Sequence, residues 1–206
     1  MIQRFQYLTQ DVDEITHQEL AEIACKNGIR WVQLRVKNKP FDEYLSIAKD
    51  VKKICDKFQA TLIINDNVEI CKRINADGVH LGKQDMQIVE ARKILGENKI
   101  IGGTTNAEND ILELVEQGVD YVGLGPFKFT KTKNNLSPTL GIDGYKNILQ
   151  SINNQTNIPI IAIGGININD VNNLLETGIY GIAVSSAINL SNNKEKTIAQ
   201  FLNCFS

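Results

Sequence analysis

Apolar residues in this chain gather in short runs, and between the runs they recur every three or four positions. Eight runs rich in β-branched and aromatic residues, at 5–9, 31–35, 61–65, 78–81, 100–102, 121–125, 159–163 and 181–184, predict strands. The stretches between them, among them 19–26, 44–58, 88–95, 111–116 and 171–176, carry the spacing of amphipathic helices. Strand followed by helix throughout predicts a parallel sheet. The segments NGIRWV, NADGVHLG, QGVDYVGLG and TGIYGIAV echo one another where they open the second, fourth, sixth and eighth strands. In each, a helix closes on Gly or Asn and a strand begins about three residues on. A pattern returning at every second strand fits a closed (β/α)8 TIM barrel, one α/β domain over residues 1–206, better than an open doubly wound sheet.

The stretch IPIIAIGGININD, residues 158–170, shows what such a barrel offers at its strand ends. Its apolar run stops at Gly164 and Gly165, and a helix start follows with Asn167 or Asn169 as cap. Free N–H groups of that helix then face a place where no side chain obstructs an anion, which predicts a phosphate seat. A tight strand-to-helix turn without a ligand has the same local sequence.

Bulk properties narrow the partners. With 206 residues and 42% hydrophobic content the chain can fill one sizeable core. A net charge of -2 and the lack of a basic stripe exclude a general nucleic-acid surface, leaving small molecules or proteins as partners. Cys25, Cys55, Cys71 and Cys204 are scattered without a CxxC, as expected for reduced structural thiols in a cytoplasmic protein. No apolar run nears the roughly 20 residues of a membrane span, and the first residues lack the apolar stretch of a signal peptide, so no membrane partner is expected. The oligomeric state stays open, a homo-oligomer included.

The residues closing each strand carry the candidate chemistry. In WVQLRVK the period of two sets Gln33, Arg35 and Lys37 on one face, opposite Val32, Leu34 and Val36. Directed inward, Arg35 and Lys37 suit a diphosphate, the guanidinium as a bidentate fork and the ammonium as a point charge, while Gln33 can address a heterocycle. An interior salt-bridge network is the alternative. The third strand ends on Asn65 and Asp66, and the loop after the fourth carries Asp85. Two carboxylates on neighbouring strand-end loops match how Mg2+ is held, with waters and substrate phosphate oxygens completing its shell; each Asp alone reads equally as a helix cap. His80 reads as a hydrogen-bonded barrel residue rather than a general base, and His17 as a solvent-facing residue of the first helix. Thr104 and Thr105 follow the fifth strand and can contact a phosphate or cap a helix. The segment 126–141 reads as an active-site lid, with Thr130, Thr132 and Lys133 at its base, or as a mobile surface loop. Ser185 and Ser186, after the eighth strand, join Gly164 and Gly165 as a second anion site, because phosphate in such barrels commonly sits between the last two loops.

QLRVK, IIND, ADGVHLGKQD, GPFKFTKTK, IAIGGI and AVSSAI, in this order and spacing, resemble the thiamine phosphate synthase family over essentially the whole chain. The resemblance implies a transferase of thiamine biosynthesis that joins hydroxymethylpyrimidine diphosphate to hydroxyethylthiazole phosphate and releases pyrophosphate. It implies that Gln33, Arg35, Lys37 and Asn65 hold the pyrimidine diphosphate and that Asp66 and Asp85 hold Mg2+. Thr130, Thr132 and Lys133 then contact the substrates beneath the lid, and Gly165, Ser185 and Ser186 form the thiazole phosphate site. Arg35, Lys37 and Lys133 are the implied catalytic charges, and Thr104 stands where the family usually has a substrate-binding Ser. Two further departures are Val36 for a frequent Glu and Asn106 for a His that is catalytic in the related thiazole tautomerases. That tautomerase and a non-catalytic regulator retaining the phosphate seats are the rival readings; neither releases pyrophosphate.

Overall fold

The computed structural model describes residues 2–129 and 138–205. Eight strands close into a barrel in sequence order: β1 (Phe5–Leu8), β2 (Trp31–Leu34), β3 (Thr61–Asn65), β4 (Gly78–Leu81), β5 (Ile100–Thr105), β6 (Tyr121–Leu124), β7 (Ile160–Ile163) and β8 (Gly181–Val184). Every neighbouring pair is parallel, and β8 pairs with β1 to close the ring. Around it stand α1 (His17–Lys26), α2 (Phe41–Lys57), α3 (Val68–Arg73), α4 (Ile88–Leu95), α5 (Glu108–Glu116), α6 (Gly141–Ile152), α7 (Val171–Leu175), α8 (Ser186–Asn189) and α9 (Lys194–Asn203). Among the described residues, no helix is long and apolar enough to cross a membrane.

Alternation along each strand divides the apolar residues into two sets. Outward residues such as Val32, Leu34, Leu62 and Ile64 pack against Leu20, Ala24, Ala48 and Val51 of the helices in one continuous core. Leu8, Trp31, Ile63, Tyr121, Ile161 and Ala183 form a separate inner cluster, in which the Trp31 and Tyr121 rings meet edge to face at 4.9 Å. Strand limits fall within one residue of the sequence expectation except in β5, which runs on to Thr105 rather than stopping at residue 102. Gly102 and Gly103 look like a stop, yet they continue the ladder. A Cβ on Gly102 would lie 2.2 Å from the Tyr121 ring, and one on Gly103 would lie 2.8 Å from Leu114. These glycines make room rather than turn the chain.

Some helix starts among the described residues carry side-chain caps. Thr16 and Glu19 form a reciprocal capping box at α1, and Asn67 accepts from the Ile70 N–H at α3. Asn167, not Asn169, caps the 3-10 turn Ile168–Asp170 that leads into α7, with the Asp170 carboxylate accepting from the Asn167 N–H. His17 overturns its expectation. It is only 6% exposed, because the first residue of α1 is turned onto the end of β1 rather than to solvent.

Candidate active site

The C-terminal ends of β2, β3 and β4 gather the expected charged residues. Gln33 is buried inside the barrel, and Arg35 and Lys37 follow at the same parity as the chain leaves β2. The Tyr44 hydroxyl, from α2, reaches the carbonyl oxygens of Leu34 and Asn65 at 3.0 and 3.1 Å and ties these two strand ends together. Asp66 then turns at a φ of 64°, its N–H donating to the His80 carbonyl at 2.8 Å. Its carboxylate is ion-paired with the Lys37 ammonium and accepts from the Asn65 side-chain amide. The amide orientation that Asp66 imposes leaves Asn65 Oδ1 buried with no partner among the described residues.

Asp85 meets this group from the loop after β4. The helix-cap reading fails for both carboxylates, since Asn67 caps α3 and α4 begins after Gln87 without a side-chain cap. Asp85 instead accepts from the Gly82 N–H at 2.7 Å, which folds its loop back toward Asp66. Burial, with the Asp66 carboxylate against it, pushes the Asp85 carboxyl above its ordinary range, while Gly82 N–H and Lys37 pull the other way. Burial also disfavours the charge on Arg35, which Asp66 and Asp11 support in return. Among the described residues no group of three or more His, Cys, Asp or Glu is placed to hold a metal. Two converging carboxylates still fit Mg2+, which takes oxygen ligands and keeps waters and phosphate oxygens in its shell.

Inside the barrel a chain of hydrogen bonds runs from the β2 side to the β5 rim. Gln33 donates to Gln6 and Gln6 to the Tyr121 hydroxyl, each at 3.2 Å; His80 then bridges the Tyr121 hydroxyl and Thr104 Oγ1, both at 2.9 Å. His80 is therefore the hydrogen-bonded barrel residue expected of it. The two threonines separate by parity: Thr104 faces the interior relay, while the Thr105 hydroxyl donates to the Ala107 carbonyl and serves the turn into α5.

The opposite rim is built by β6, β7, β8 and the end of β1. Gly164 and Gly165 have φ values of 100° and 68°, and Cβ atoms there would lie 2.7 Å from Pro126 and 2.8 Å from the Phe129 carbonyl oxygen. The pair thus seats the start of the 126–141 segment, which Phe127 and Lys128 secure by donating to the Ile163 and Gly164 carbonyls at 2.9 Å. Lys128 also pairs with Asp170. Thr130, Thr132 and Lys133 lie outside the described residues. Ser185 and Ser186 both donate to the Gln10 side chain, at 3.0 and 3.1 Å, so the eighth and first strand ends share one polar cluster. Thr9, Gln10, Asp11, Lys128 and Asp170 are the rim residues that sequence reasoning missed. The tripeptide TQD sits where β1 ends, and that position was its signal. Two clefts are a space of about 240 Å3 beside Asp85 and Thr104, and one of about 430 Å3 between the α6–β7 and α7–β8 loops, at the end of the barrel away from the strand-end chemistry.

In sequence and in fold the chain is similar to known proteins. The family model for thiamine monophosphate synthase matches residues 7–188. The thiamine-phosphate synthase of Flavobacterium psychrophilum is 48% identical over 203 residues, covering 97% of this chain and 98% of that protein. That of Clostridium novyi is 42% identical over 185 residues, covering 88% and 89%. The thiamine phosphate pyrophosphorylase from Pyrococcus furiosus superposes with a TM-score of 0.86 at 30% identity, covering 98% of this chain and 95% of that one. A 3-hexulose-6-phosphate synthase, at 13% identity and a TM-score of 0.70, shares the fold alone.

Proposed function

The chain belongs to the thiamine monophosphate synthase family, a transferase family, and from that premise we propose that its C-terminal rim binds a pyrimidine diphosphate at β2–β4 and a thiazole phosphate at β7–β8. The observation that carries this reading is the convergence of Arg35, Lys37, Asp66 and Asp85 from three adjacent strand ends. Arg35 and Lys37 receive the diphosphate oxygens, Lys37 exchanging its Asp66 partner for phosphate. The unpartnered Asn65 Oδ1 accepts from the exocyclic amine of the pyrimidine, and Gln33 addresses the same ring from the interior. Gly165, Ser185 and Ser186 hold the thiazole phosphate; Thr104, Thr130 and Thr132 contribute hydroxyls. The family's reaction needs no covalent enzyme intermediate, since the C–O bond of the pyrimidine methylene breaks with its electron pair leaving on the diphosphate, and the thiazole nitrogen lone pair forms the new C–N bond.

Asp66 and Asp85 would hold Mg2+, whose charge, when bound, stabilises the departing diphosphate. Arg35, Lys37 and Lys133 add positive charge on the same oxygens, so the protein's part is positioning and charge neutralisation. Localisation to the cytoplasm fits a biosynthetic transferase of this family. Asn106, where a tautomerase would carry its His, is tied to Lys83 instead, which leaves that rival without its catalytic group.

The test incubates the purified protein with both substrates and follows pyrophosphate release with Mg2+ and with chelator. Product and pyrophosphate should appear together, only with Mg2+, and Asp85→Asn should lower kcat/KM on the order of 10²-fold or more. An Asp85→Asn protein with unchanged rate in chelator would remove the metal assignment; absence of pyrophosphate from the wild type would remove the whole reading.

A further inference from the structure

We propose that Thr9, Asp11 and His17 form a positioning cluster that fixes the Arg35–Lys37 segment and so sets affinity for the diphosphate substrate; this rests on the assignment of that segment to a diphosphate given above. The ladder between β1 and β2 ends just before this segment. Its last backbone bond runs from the Thr9 N–H to the Gln33 carbonyl at 3.0 Å. Beyond it, side chains take the place of carbonyls: Thr9 Oγ1 accepts from the Arg35 N–H at 3.1 Å, and Asp11 Oδ2 accepts from the Lys37 N–H at 3.1 Å. The two residues that present cations are therefore each held by the backbone, at alternate positions, from the β1 end.

His17 joins the two acceptors. Its Nδ1 lies 2.9 Å from Thr9 Oγ1 and its Nε2 lies 3.1 Å from Asp11 Oδ1. Only one proton arrangement satisfies every group with a neutral ring. The Thr9 hydroxyl donates to Nδ1, Nε2–H donates to Asp11, and Thr9 Oγ1 and Asp11 Oδ2 remain acceptors for Arg35 and Lys37. Thr9 is fully buried and His17 is 6% exposed, so water does not substitute for these bonds. Asp11 acts twice, because its charge also supports the half-buried Arg35 guanidinium. None of the three needs to touch substrate; they act through the geometry of Arg35 and Lys37.

The experiment compares wild type with Thr9→Val, Thr9→Ser and Asp11→Ala. Pyrophosphate binding is measured by calorimetry, and KM by varying each substrate in turn. Thr9→Val and Asp11→Ala should raise the Kd for pyrophosphate and the KM for the pyrimidine diphosphate about tenfold, the loss of one hydrogen bond supporting a charged site. KM for the thiazole phosphate should hold, and Thr9→Ser, which restores the hydroxyl, should recover wild-type values. A role confined to stability would lower the melting temperature or the active fraction and leave both constants in place. Unchanged pyrophosphate affinity in folded Thr9→Val, beside a wild type that binds, overturns the positioning role; a wild type that binds no pyrophosphate removes the diphosphate assignment on which it stands.

Discussion

Asp66 adopts a left-handed backbone, a region that side chains rarely occupy and that Asp and Asn tolerate best. Its position is set by the turn out of β3, so charge and conformation can be separated. Asp66→Asn should keep the wild-type urea midpoint and lose on the order of 10²-fold in kcat/KM, while Asp66→Ala should lose both activity and stability. An Asp66→Asn enzyme of full activity would show that the carboxylate is dispensable. His17 gives a second test. Burial holds its imidazole below the ordinary value of 6.5; Lys39 pushes the same way and Asp11 opposes. The unfolded chain therefore takes up a proton more readily, and the stability this residue contributes is complete above 6.5 and lost as the pH falls through the lower folded value. Urea midpoints measured from pH 7.5 to 5 should fall more steeply for wild type than for His17→Gln; parallel curves would refute the assignment. At this scale Arg35, Lys37, Asp66 and Asp85 were legible because strand ends are where such a barrel keeps its chemistry. His17 was not, because helical periodicity on α1 carries no trace of what β1 places beside it.

Elements explain the remaining misreadings. A glycine pair is read as punctuation, yet in β5 it marks crowding, and the inward position of Thr104 followed only once the strand was known to continue past it. Gly102→Ala should cost about 1–3 kcal/mol by forcing the Tyr121 and His80 rings apart, seen as a lower urea midpoint. Gly164→Ala, which combines a Pro126 clash with a φ of 100°, should lower the midpoint comparably and also raise KM, since it displaces the base of the 126–141 segment. Wild-type behaviour of either variant would mean the neighbours yield freely. The internal echo read in the sequence has its structural counterpart in Gly28, Asn75, Gly118 and Gly178, which turn at positive φ where a helix closes ahead of β2, β4, β6 and β8. Tyr44 of α2 bonds the ends of β2 and β3, and Tyr145 of α6 bonds the Leu124 carbonyl at the end of β6. The base of the segment is closed as well, by Leu140 and Gly141 donating to Pro126 and Phe127 at 2.9 and 3.1 Å. None of these ties is a periodic feature, so none shows in a hydrophobic pattern.

Across the whole molecule the polar groups form a nearly continuous band around one rim. Ser185 and Ser186 join Gln10, Thr9 holds Arg35, Lys37 pairs with Asp66, and His80 carries the connection to Thr104. The barrel was legible because its two periods, two along strands and near four along helices, alternate without interruption. The band was legible only in part, since it depends on which strand ends are neighbours after closure.

The pairing of β8 with β1 has a consequence during synthesis on the ribosome. Until residues 181–184 emerge, the earliest strand waits with one side of its backbone unmet, available to any extended peptide nearby. A chain cut after residue 178 should therefore be recovered as aggregate where the intact chain is soluble, and a nascent chain stalled at that length should retain holding chaperones until translation resumes.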